Sequence, residues 1–150
     1  MGGAEHARDE DVALAERLGE LIARENWVLL TGGRDAGVMA AAVRGAKRVS
    51  GSLTVGILPT ESGAHAPGID IAIYTGLGNA RNVINVLSSR VVITCGHLTP
   101  GTTSEAAFAL KTGRPLILLS PNPEARAFFR DAQIARSPEE AIELVRRIVG

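Results

Sequence analysis

The sequence predicts an α/β fold, a three-layer, doubly wound, Rossmann-like parallel sheet. Three observations carry that expectation. Apolar runs alternate with helix-spaced segments along the chain, the runs are apolar throughout rather than at every second residue, and glycine-rich turns recur where a run leads into a helix. Strands that alternate with helices belong to βαβ units, and strands apolar on both sides belong to a parallel sheet covered on both faces.

Each element follows from its local pattern. Residues 8–25 place Val12, Leu14, Leu18, Leu21 and Ile22 near helical spacing, with acids early. "WVLLTGG" is a short buried strand, "GVMAAAVRGAKR" an alanine-rich helix and "LTVGILP" a strand stopped by Pro59. Residues 60–69 form a turn-rich stretch long enough to be a functional loop. "IDIAIYT" is a strand, "NARNVINVLSS" a helix and "RVVITCG" another strand. A helix running to about Thr112, the strand "PLILLS", the short helix "PEARAFFRD" and a short edge strand "QIA" follow. The last helix is well marked, with Ser137 as cap, Pro138 at the first position and Glu140 closing a capping box. Trp27, Phe108, Phe128 and Phe129 sit where packing is expected. The chain opens on a helix, whereas the first strand of such a fold precedes it. "MGGAEHA" then reads as the turn after a strand missing at the N-terminus, Gly2-Gly3 entering the helix. A misplaced start is the favoured reading over a fold that begins here.

With 150 residues and no repeat or linker, the chain is expected to be a single domain, 1–150. Its formal net charge is +0 and its arginines are dispersed, which argues against nucleic acid as a partner. One cysteine, Cys95, forms no internal disulfide and suits a reducing compartment. No apolar run approaches the ~20 residues of a membrane span. A soluble, cytoplasmic protein is the expectation.

In an open α/β sheet, ligands sit beyond the carboxyl ends of the strands, so the strand-to-helix turns hold the candidates. "TGGRDAGVM" brings Gly32, Gly33 and Gly37 to such a turn, without the spacing of a Walker loop or a dinucleotide fingerprint. A tight turn explains it as well as a backbone approach to an anion does. "TGLGNARN" contributes Gly76 and Gly78, Asn79 as a cap, and Arg81 in the first helical turn. A cation there opposes the helix dipole by roughly 0.3–1 kcal/mol if exposed, so a guanidinium aimed at a phosphate or carboxylate is the favoured reading. "LTPGTTSEAAFAL" adds Gly101, Thr102, Thr103 and Ser104 at a helix start, a donor set suited to phosphate. The same residues read as a capping box from Thr102 to Glu105. Cys95 and His97 are too few for a metal site, and no metal ligand is assigned.

Taken together, "WVLLTGGRDAGVMAAAVRGA", "LTVGILP", "TGLGNARNVINVLSS" and "PGTTSEAAFALKTGRPLILL" resemble the molybdenum cofactor carrier protein family. That family lies within the LONELY GUY and lysine decarboxylase-like group of Rossmann-like proteins, and the resemblance runs from about Ala13 to Leu119. It implies a carrier that binds the phosphorylated pterin of the molybdenum cofactor and hands it to molybdoenzymes, without catalysis. The implied cofactor-binding residues are Gly32, Gly33, Gly37, Gly76, Arg81, Gly101, Thr102, Thr103 and Ser104. It also implies a homo-oligomer, a dimer or tetramer. The hydrolase members of the group carry P-G-G-x-G-T-x-x-E and an arginine, matched here by Gly101, Thr102, Glu105 and Arg81. Were the chain an enzyme, it would be a nucleoside 5'-monophosphate phosphoribohydrolase, with Glu105 and Arg81 catalytic. The departures are "HLT" at 97–99 with Pro100 before Gly101, and Asn82 where the enzymes have lysine; they favour the carrier branch. A nucleotide-sensing domain is the remaining alternative.

Overall fold

The strand Leu116–Leu119 shows how this sequence builds its sheet, because all four of its residues are buried. Side chains of a strand alternate between faces. Ile117 and Leu119 enter a core with Leu18, Val43 and Ile142, while Leu116 and Leu118 enter another with Val86 and Ala106. A continuous apolar run is what a strand covered on both faces requires.

The computed structural model describes residues 1 and 7–150; the Gly2-Gly3 turn and His6 lie outside the described residues. Element order is α1 (Asp9–Arg24), β1 (Leu29–Thr31), α2 (Gly37–Ala46), β2 (Thr54–Leu58), β3 (Ile71–Tyr74), α3 (Arg81–Ser88), β4 (Val92–Cys95), α4 (Pro100–Lys111), β5 (Leu116–Leu119), α5 (Pro123–Phe128), β6 (Gln133–Ala135) and α6 (Pro138–Val149). All pairings are parallel, in two three-stranded sheets ordered β1-β2-β3 and β4-β5-β6. Helices α1, α2 and α6 cover one face, and α3 and α4 the other. This is the doubly wound, three-layer arrangement that the alternation of apolar runs and helices predicts.

Four local expectations need correction. Asn79 does not cap α3; it lies in a 3-10 turn, Gly78–Ala80, and no side chain caps the helix. Helix α4 begins at Pro100 and is capped by Thr99, whose Oγ1 accepts the Thr102 N–H. The Thr102–Glu105 capping box therefore does not form. Proline at the first helical position, where no N–H is needed, sets the start three residues earlier. Ser137 does cap α6, but the Glu140 carboxylate accepts from Arg136 N–H, one residue ahead of the cap. Phe128 is 75% exposed and Phe129 takes the core position at 2%, because α5 ends between them.

The 60–69 loop is tied down. Ala66 is fully buried and its N–H donates to Gly33 O at 2.8 Å, and the Tyr74 hydroxyl donates to Gly63 O at 2.7 Å. The loop thus braces the turn after β1.

Candidate functional site

The carboxyl ends of β1 and β4 face one another across a cavity of about 640 Å³. This is the switch point of the doubly wound sheet, where the two halves diverge and ligands bind in this architecture. Its polar end is lined by Gly32, Arg34, Arg81, Thr99, Thr102 and Glu105.

Arg81 is the first residue of α3 and only 8% exposed. Its Nη1 donates to Asn82 Oδ1 at 2.8 Å and lies 3.8 Å from Glu105 Oε1, while its buried Nε has no hydrogen-bond partner among the described residues. Burial holds the guanidinium below its ordinary pKa; Glu105 opposes that shift, and the charge of Arg34 adds to it. Two cations therefore share the mouth of the cavity. A Cβ at Gly32 would lie 2.6 Å from Arg81 Nη2 and 2.7 Å from Nη1, so glycine at the end of β1 is what lets the guanidinium rest there. A buried donor left unpaired costs about 1–3 kcal/mol, and such costs gather at functional sites.

Glu105 lies on the cavity wall, 6% exposed. Its Oε1 accepts from Asn85 Nδ2 at 3.0 Å, which ties α4 to α3. Burial pushes its carboxyl above the ordinary 4.5, more than the Met1 ammonium, Asn85 and Arg81 pull it down. For both members of the Arg81–Glu105 pair, burial outweighs an attraction acting over 3.8 Å. A carboxyl whose folded pKa is raised adds stability below about pH 4.5, and loses it as pH rises through the folded value. Glu105→Gln keeps an acceptor for Asn85 and does not titrate. Its melting temperature should match the parent near pH 4 and exceed it by a growing margin towards pH 8. A constant difference across a pH series would refute this.

The structure brings together some of the residues implied by resemblance and leaves others apart. Gly32, Arg81, Gly101 and Thr102 line the cavity, whereas Gly33, Gly37, Gly76, Thr103 and Ser104 do not. Gly33 packs on Leu58 and Gly56, Gly37 opens α2, and Gly76 sits exposed beside Glu61. The hydroxyls at the start of α4 are partly spent internally. Thr102 Oγ1 is 3.1 Å from Thr99 Oγ1, Ser104 Oγ donates to Gly101 O at 2.7 Å, and Thr103 N–H to Thr99 O at 2.8 Å.

Sequence reasoning missed Arg34, Thr99, Asn85 and Asp11. Arg34 sits inside a motif read for its glycines. Asp11 is buried, accepts two hydrogen bonds from Arg8 at 3.1 and 3.0 Å, and accepts the His97 N–H at 3.2 Å. It fastens the loop after β4 to α1, a contact across 86 positions that no local pattern signals. The Cys95 thiol is pushed up to about 12 by burial, so it is no nucleophile near neutrality. Among the described residues no cluster of His, Cys, Asp or Glu could hold a metal, and no helix is long and apolar enough to cross a membrane.

Fold and crevice define a class: a Rossmann-like α/β protein with a basic crevice at its switch point. The chain belongs to the SLOG cluster4 family, whose model matches residues 1–144. The structure is similar to that of the molybdenum cofactor binding protein of Rippkaea orientalis, at 50% identity and a TM-score of 0.96, over 100% of this chain and 94% of that one. It is also similar to the molybdenum cofactor carrier protein of Chlamydomonas reinhardtii, at 40% identity and a TM-score of 0.92, over 99% of this chain and 95% of that one. An uncharacterised protein of Archaeoglobus fulgidus is 41% identical over 140 residues, 93% of this chain and 88% of that protein. The resemblance to the carrier proteins carried by the sequence motifs thus extends to the whole fold.

Proposed function

We propose that this protein binds the molybdenum cofactor non-covalently, as cargo, and passes it to molybdoenzymes in the cytoplasm. The observation that carries the proposal is Arg81, a buried guanidinium with an unpaired Nε, set beside Arg34 at the mouth of the cavity. An anion such as the terminal phosphate of the pterin would supply the missing acceptor through charge-assisted hydrogen bonds. The Gly101 end of α4 adds the positive end of a helix dipole. Gly33, Gly37, Gly76, Thr103 and Ser104 then act by shaping the turns around that ligand. The carrier relatives from Rippkaea and Chlamydomonas support the choice of ligand.

The wall also holds Glu105 beside Arg81, the pair a phosphoribohydrolase would use on an oxocarbenium-like transition state. One experiment separates the readings. Protein purified from a host that makes the cofactor is oxidised and assayed for the fluorescent pterin product. In parallel it is incubated with AMP and cytokinin riboside monophosphates and assayed for free base. Pterin without base release is the expected result. Base release abolished by Glu105→Gln would overturn the carrier reading, and neither product would leave a nucleotide-sensing domain.

We also propose a homo-oligomer. Edge strand β3 and the turn after it expose Ile71 (47%), Ile73 (44%) and Leu77 (52%), an apolar face that a second copy would cover. Sedimentation should give a dimer or tetramer; a monomer at micromolar concentration would reject this.

A further inference from the structure

Glu105 stands on the wall of the cavity that Arg81 serves, in surroundings that suit a carboxylate poorly. It is 6% exposed, and among the described residues its side chain accepts a single hydrogen bond, from the neutral Asn85 amide at 3.0 Å. The Arg81 guanidinium, at 3.8 Å, is beyond hydrogen-bond reach. Buried carboxylates are ordinarily paired and hydrogen-bonded, because loss of water disfavours the charge. Both contacts involve Oε1, so Oε2 takes part in neither.

The charged groups that face Glu105 are cations. Arg81 acts on it from α3, and the Met1 ammonium, bonded to Ile93 O, from the edge of β4. Arg34, in the turn after β1, acts on Arg81 in turn. Strand β5 brings no titratable group, and Cys95 of β4 belongs to the opposite core.

An anion held by Arg81 adds a second negative charge beside this carboxyl. An anion oxygen bonded to Nη1 at the ~2.7–2.9 Å of a charge-assisted bond lies no more than about 7 Å from Glu105 Oε1, given the 3.8 Å between Nη1 and Oε1. Both ends of that separation are buried, so salt screens the repulsion little. Arg34 and Arg81 offer two positive charges at the mouth of the cavity. A phosphate monoester carries about −1.5 to −2 near neutral pH, which leaves the Glu105 carboxylate without a counter-charge there. A proton on Oε2 removes the repulsion and turns that oxygen from an acceptor into a donor, the kind of group an anion needs.

We propose that Glu105 is a binding residue of the anion site and works in its neutral form. As the anion enters beside Arg81, Glu105 takes one proton from solvent onto Oε2, and it returns that proton as the anion leaves. The proposal rests on the anion site at Arg81 and adds that cargo and proton are carried together. Acid therefore favours loading, and loss of the Glu105 proton favours release.

Inorganic sulfate is the probe, because it stays fully ionised in neutral solution and any proton taken up belongs to the protein. Calorimetric titration in two buffers of different ionisation enthalpy should show uptake approaching one proton per sulfate. From about pH 5.5 to about pH 8.5 the affinity should fall at least about 10-fold, since one linked proton gives up to tenfold per pH unit. Glu105→Gln stays neutral and can still donate. It should bind sulfate without proton uptake, with affinity nearly flat across the series and tighter than the parent at the alkaline end. The comparison cancels every other titrating group, because the two proteins share them. Infrared difference spectra of the parent, which need no variant, should gain the C=O band of a protonated carboxyl when sulfate is added. Absence of proton uptake at every pH of the series overturns the proposal. So does uptake that persists in Glu105→Gln, or a failure of sulfate to bind at all. The pterin assay decides the cargo separately. Proton-linked sulfate binding without pterin would reject the cofactor and keep the site, and pterin without proton linkage would do the reverse.

Discussion

Gly45→Ala is expected to cost about 3 kcal/mol of folding stability or more, although alanine is the better helix former by roughly 0.5–1 kcal/mol. The reason lies in the crossing of α1 and α2. A Cβ at Gly45 would stand 1.7 Å from the Glu16 carbonyl oxygen, and one at Gly19 would stand 2.0 Å from that of Ala42. Both obstacles are backbone, so no side-chain rotation relieves them and the helices must separate. Ala15, Ala41, Ala42 and Ala46 are all buried in the same core, so separation opens voids along the seam. Overpacking of well-packed cores costs about 1–3 kcal/mol when side chains can yield, and here the chain itself has to move. Against a domain stability of roughly 5–15 kcal/mol, that is a large fraction. Urea unfolding should show a much lower midpoint for Gly45→Ala and for Gly19→Ala. The control is Gly101→Ala, whose Cβ finds nothing nearer than Thr99 Oγ1 at 4.0 Å and should leave stability alone. An unchanged midpoint for Gly45→Ala would refute the account of the crossing.

The same seam shows what sequence can and cannot disclose. That residues 37–46 form a helix is legible from composition, and so are central strands such as Leu116–Leu119, because a parallel sheet covered on both faces demands continuous apolar runs. That Gly45 meets Glu16, twenty-nine positions earlier, is not legible, since helix pairing leaves no local period. Site residues divide in the same way. Arg81 could be singled out because a cation at a helix start is locally unfavourable and so asks for a reason. Thr99 was passed over because Thr102 and Glu105 offered an equally good capping pattern, and only the position of Pro100 at the first helical residue decides between them. Asn85 gave no signal at all; its use is to hold Glu105 across the gap between α3 and α4.

Arg81→Ala is expected to lower cofactor content in purified protein by about 10- to 100-fold, which corresponds to the roughly 1.5–3 kcal/mol of hydrogen bonds to a charged group. The fold should barely notice. Burial already disfavours this guanidinium, its Nε is unpaired, and its distance from Glu105 is beyond hydrogen-bond reach. Glu105, left without a cation, can take a proton rather than remain an isolated buried charge. Loss of ligand with the melting temperature held within a few degrees is the signature of a residue kept for binding, as against one kept for packing. Arg81→Lys should not rescue binding, because an ammonium lacks the planar fork of donors. Gly32→Ala provides the complementary test. It retains the charge but sets a methyl group 2.6 Å from where Nη2 lies, so it should lower cofactor content by moving the guanidinium rather than removing it. If Arg81→Ala and Gly32→Ala both retained full cofactor content, the crevice at the end of β1 would not be where the anion is held.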